Sequence, residues 1–153
     1  MRLFGVLFAW FLASVATYLC AAAASSHVVI EGVRSVGRAV GFGERMGMIV
    51  HDWGAMYAYL LVILIGFAVA FFVADLVKSL VPALAPIAYP TAGAVAIVAA
   101  LEIMRAVYGV VPVLGAQDAL GLWLQIGAGV IGGIVFELTR PKARDELADR
   151  RPA

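Results

Sequence analysis

Cysteine occurs once in these 153 residues, histidine twice and asparagine nowhere, and only 14% of the side chains are charged. The lone Cys20 excludes an internal disulfide, a cysteine-based zinc site and a CxxC redox centre. His27 and His51 are far apart and lack HExxH-type spacing, so no metal is expected. A formal net charge of +1 leaves no basic excess with which to hold phosphates, which excludes a nucleic-acid partner. There is no GxSxG elbow, no P-loop and no EF-hand loop, and the apolar stretches hold no histidine for haem. An enzyme is therefore not expected, and neither is a cofactor. A charge-free first apolar stretch, a single cysteine and the missing asparagine also separate the chain from small multidrug exporters, thiol-based quinone reductases and MAPEG-type glutathione enzymes.

What the chain does have is apolar surface: 64% of its residues are hydrophobic. A soluble domain has roughly half its residues apolar and a quarter charged, because its exterior must stay wet. A helix crossing the hydrocarbon core of a bilayer needs roughly 20 predominantly apolar residues. Four stretches meet that length, at about residues 3–24, 54–77, 87–111 and 119–139. The expected architecture is all-α, a single membrane domain formed by a four-span transmembrane helix bundle. An outer segment (25–52) and a tail (140–153) complete the chain. The first stretch also has features of a secretory signal, but its length and Leu19 beside Cys20 favour a retained anchor.

Basic residues orient the bundle. An even number of spans places both ends on one side. That side collects Arg2, Lys78, Arg140, Lys142, Arg144, Arg150 and Arg151, against Arg34, Arg38 and Arg45 on the other. The positive-inside rule then puts both termini in the cytoplasm, with a bacterial inner membrane as the expected location. Trp53, Tyr57, Tyr59, Tyr108 and Trp123 fall near the outer interface, where amphipathic rings prefer to sit.

In the outer segment, Val29, Val33, Val36 and Val40 recur at helical spacing opposite Glu31, Arg34, Ser35 and Arg38. This predicts an interfacial amphipathic helix started by Ser25 or Ser26 as N-cap and broken at Gly41 and Gly43, leading on to Trp53. The turn after the second span holds Pro82, Pro86 and Pro90, which stiffen its path. In the last span Gly129 and Gly133 form a GxxxG pair that permits close helix approach. Gln125 is expected to hydrogen-bond across a helix interface there, and Asp118 to cap that span.

Charge inside a span is costly and marks candidate function. Glu102 and Arg105 lie well inside the third span, three residues apart on one helix face, as a mutual ion pair or as a titrating or cation-binding site. Asp75 with Lys78, and Glu137 with Arg140, sit at span ends as interface anchors, each acid neutralising the base one turn later. The endings Val-Ala-Asp75-Leu-Val-Lys78 and Val-Phe-Glu137-Leu-Thr-Arg140 resemble each other and hint at pseudo-symmetry. With no clustered polar site, the expected function is a non-catalytic accessory or scaffolding subunit. Its partners are the lipid bilayer and another membrane protein, or itself. The alternative is an oligomeric channel or transporter using Glu102 and Arg105.

Overall fold

The computed structural model describes residues 2–35, 37, 41–55, 57–109, 113 and 116–141. Five α-helices follow in order: α1 (Arg2–Ser35), α2 (Phe42–Ala55), α3 (Tyr57–Leu80), α4 (Ala88–Tyr108) and α5 (Ala119–Thr139), with a 3₁₀ turn at Pro82–Leu84 between α3 and α4. Of these, α1, α3, α4 and α5 are long and apolar enough to cross a membrane. The chain is thus a small membrane protein built as an all-α, four-span bundle. The four helices form a ring in which α1 packs on α3 and α5, and α4 on the same two. The start of α1, the end of α5, the 3₁₀ turn and Tyr89 share one end (the Tyr89 end), while α2 lies at the other (the Trp53 end).

Helix α1 is longer than the first span requires. Thirty-four residues extend about 51 Å against about 30 Å of hydrocarbon. Ser25 and Ser26 do not start a new helix. Both are buried inside α1, and Ser26 Oγ donates back to the Ala22 carbonyl at 3.0 Å. A serine that bonds to its own preceding turn gives a run of alanines no reason to stop. The expected interfacial helix therefore divides in two. Residues to Ser35 prolong α1, with Val29 half-buried beside a fully buried Ile30. The side chain of Val33, and Val36 and Val40 altogether, lie outside the described residues, as does the tail beyond Pro141.

The separate amphipathic helix is α2, which the valine periodicity did not reveal. The Gly41 N–H donates to Glu44 Oε2 at 3.1 Å, one half of a capping box, so the glycine expected as a breaker marks a helix start instead. Phe42, Met46, Val50 and Trp53 form an exposed apolar stripe along α2. Arg45 pairs with Glu31 at 3.1 Å, and the Tyr18 hydroxyl donates to the Trp53 carbonyl, tying α2 to α1.

Packing centres on α5. Gly129 and Gly133 face α4: a Cβ on Gly129 would stand 2.5 Å from the Gly93 carbonyl oxygen, and one on Gly133 would be 2.7 Å from Pro90 Cα and still closer to the Tyr89 carbonyl. Gly132 faces the other way, where a Cβ would overlap the Thr17 hydroxyl and stand 2.7 Å from the Phe67 ring. These glycines let α5 sit against α4 on one side and α1 and α3 on the other. At its start Asp118 accepts from the Gly121 N–H at 2.7 Å, the expected cap. Helix α4 stops three residues short of the expected span, where Gly109 takes φ 72° and its N–H bonds the Arg105 carbonyl.

Because the atoms opposing Gly133 are backbone, Gly133→Leu should force α4 and α5 apart and lower bundle stability by about 3 kcal/mol. Gly127, with nothing near its absent Cβ, is the control. Gly127→Ala should raise stability by up to about 1 kcal/mol through helix propensity. Thermal unfolding in detergent micelles measures both.

Candidate functional site

Across the ring, α3 and α5 meet through long side chains, in three layers. At the Trp53 end the buried Gln125 accepts from the Tyr59 hydroxyl at 3.0 Å and donates to the Ala21 carbonyl at 2.9 Å, joining α5 to α3 and α1. In the middle, Phe71 stacks on Phe136 with centroids 4.3 Å apart, and Phe67 lies 4.7 Å from Phe71. Tyr89 closes this aromatic layer, edge-on to Phe136 at 4.9 Å.

The third layer is a charged cluster on that aromatic base. Arg140 Nη1 lies 2.9 Å from Asp75 Oδ1, and Lys78 Nζ lies 3.2 Å from Glu137 Oε2. The fully buried Tyr89 donates its hydroxyl to Asp75, and its ring lies 4.2 Å from Lys78 Nζ and 4.8 Å from the Arg140 guanidinium carbon. The sequence pairs each acid with the base on its own helix. The structure instead crosses them, acid of α3 to base of α5 and acid of α5 to base of α3. The reason is direction: α3 and α5 run parallel, so their similar endings reach the same depth and face each other. Tyr89 escaped notice because nothing in its local sequence marks it. Beyond the cluster, Gly5 of α1 packs on Pro141, leaving no room for a Cβ 2.5 Å from the proline Cγ.

Chemically this cluster balances two acids against two bases. Its cations are shared between carboxylates and an aromatic face, an arrangement that holds helix ends together. Asp75 is half exposed, so its pair with Arg140 carries the modest strength of a screened contact, whereas Lys78 and Glu137 are more sheltered.

Glu102 and Arg105 lie elsewhere, on the outward face of α4. Their side chains are 60% and 59% exposed, and Arg105 Nη1 approaches Glu102 Oε1 at 3.4 Å. They therefore form the mutual pair at the surface of the bundle and line no path inside it. Trp53 and His51 are exposed on α2 and His27 on α1, and among the described residues no three His, Cys, Asp or Glu are placed to hold a metal ion. A groove of about 680 Å³ lies on the outside of the bundle between α3 and α4. Buried or half-buried small residues (Gly66, Ala70, Ala92 and Ala96) lie along it, between the exposed Val69 and Val95.

Double-mutant cycles on thermal stability test the crossed pairing. Alanine substitutions at Asp75 and Arg140, and at Lys78 and Glu137, should show coupling on the order of 1 kcal/mol per pair. The same-helix combinations Asp75 with Lys78 and Glu137 with Arg140 should be close to additive; strong coupling there and none across the helices would refute the crossed arrangement. No protein-family model, curated protein or solved structure matches this chain.

Proposed function

We propose that this chain is a non-catalytic packing subunit, an accessory or scaffolding protein that binds another membrane-spanning chain through the apolar face of α3 and α4. The groove between these helices carries the reading. Lining residues run from Val62 to Val77 on α3 and from Ala88 to Ile103 on α4, so the groove follows most of the depth of the span. Small residues along such a surface permit close approach of a neighbouring helix, which is how helices associate where both solvent and protein are apolar. Among the polar side chains within the bundle, Gln125 ties three helices, Ser14 and Ser26 bond back to their own turns, and the Thr17 hydroxyl is buried against Gly132. The GxxxG glycines are committed to α4, so a partner binds elsewhere than at Gly129 and Gly133.

Native mass measurement in lipid discs drawn from the source membrane tests the reading. The particle should contain more polypeptide than one 16.1 kDa chain. Ala99→Phe, which fills the groove at an exposed position, should strip the excess mass without lowering the unfolding temperature. A lone chain that instead conducts ions in liposomes, with flux lost in Glu102→Gln, would overturn it in favour of a channel.

The proposed setting is a bacterial inner membrane with both termini cytoplasmic, supported by the lysine and arginine asymmetry. Fluorescent-protein fusions to either terminus should therefore mature and fluoresce in the cytoplasm, whereas alkaline phosphatase inserted after Gly37 should be active on the far side.

A further inference from the structure

We infer that the occupant of the α3–α4 groove is a second copy of this chain, paired about a two-fold axis along the membrane normal, with Glu102 and Arg105 of each copy bridging to Arg105 and Glu102 of the other. This deepens the packing-subunit reading and rests on it.

The argument starts from where the charges lie. On α4, Val95, Ala99 and Ile103 line the groove. At 100° per residue Glu102 falls between Val95 and Thr91 in direction, so it stands on the groove's rim, with Arg105 one turn further on. Both side chains are more than half exposed and touch each other through one nitrogen and one oxygen at 3.4 Å. A guanidinium carries five donors and a carboxylate two acceptor oxygens, so this single contact leaves most of their bonding capacity unused. Glu102 stands within two turns of the end of α4 and Arg105 in its last turn, so a facing copy gives each a second partner of opposite charge at that end of the span.

Symmetry selects the partner. Chains of one sequence insert with one orientation, so two copies stand parallel and place Glu102 and Arg105 at matching depths. The two residues are separated by about 4.5 Å along the helix axis, well within the reach of an arginine side chain. A two-fold axis then forms both cross-bridges at once, since what one copy offers the other complements. The same operation suits the shape. The exposed ridge Thr91, Val95, Val98 and Glu102 forms the α4 edge of the groove, whose floor includes Ala92 and Ala96, so the edge of each copy can enter the groove of the other. A lipid acyl chain would fill the same space but would leave both charges without added partners. A different protein would need an acid and a base at that same depth; a second copy supplies them by construction.

Charge mixing tests the inference. In lipid discs of neutral phosphatidylcholine, the wild-type chain should be dimeric. Glu102→Lys alone makes both positions basic and Arg105→Glu alone makes both acidic, so each should dimerise at least about tenfold more weakly. An equimolar mixture of the two variants should recover a mixed dimer close to wild-type affinity. Should the charge variants fold poorly, Val95→Cys in a Cys20→Ala background should form a disulfide-linked dimer on oxidation in native membranes. Ile131→Cys on the exposed face of α5 is the control that should not. A wild-type chain that stays monomeric, dimers indifferent to either charge change, or cross-linking at Ile131→Cys but not at Val95→Cys would each overturn the inference. If Ala99→Phe still strips a different polypeptide in those cases, the packing-subunit reading stands while self-pairing fails.

Discussion

The fold depends on how closely the α5 backbone approaches its neighbours. Gly129 and Gly133 bring α5 against the backbone of α4 at Gly93, Tyr89 and Pro90, and Gly132 admits the Thr17 hydroxyl and the Phe67 ring. Inside a bilayer, apolar side chains gain little by leaving lipid for protein, so helix association rests on contact area and on hydrogen bonds between helices. Glycine increases contact by removing the atom that would hold two backbones apart. Its low helix propensity is tolerable here because leaving the helix would expose backbone polar groups to hydrocarbon.

Once α5 is central, the diagonal between α3 and α5 has to be filled. Side chains span it in an order that follows the polarity of the bilayer: the Tyr59–Gln125 bond, the phenyl rings of Phe67, Phe71 and Phe136, then Tyr89 beneath Asp75, Lys78, Glu137 and Arg140. The charges sit at the helix ends, where water can reach half of Asp75. Glu102 and Arg105 are the exception to this internal use of polar groups, because they look away from the bundle. The groove beside them is also turned outward. The bonds across the α3–α5 diagonal are internal to the bundle, whereas the groove and the Glu102–Arg105 pair lie on its outside.

Much of this was legible along the chain. The four spans follow from the length of apolar runs, the Asp118 cap from its position before a run of helix formers, and the cross-helix bonding of Gln125 from the cost of an unsatisfied amide in lipid. Less legible was the outer segment. Valine periodicity pointed to residues 29–40, whereas the helix that stands apart is α2, whose exposed Phe42, Met46, Val50 and Trp53 alternate with residues too mixed to stand out. Serines at 25 and 26 are as compatible with a helix interior as with a cap, and only the burial of both separates the two.

The sequence by itself determined a membrane protein, the number of its spans and the order of charges along each helix, because hydrophobic length and residue order are one-dimensional properties. Tertiary structure alone decided which neighbours those charges meet. Asp75 lies one turn from Lys78 in sequence yet pairs with Arg140, because parallel α3 and α5 end at the same level on either side of Tyr89. Glu102 and Arg105 keep the pairing that sequence suggests, and the fold adds only the direction they face. Direction is set by helix rotation within the ring, which the glycines of α5 and the aromatic diagonal fix through packing that no local pattern encodes.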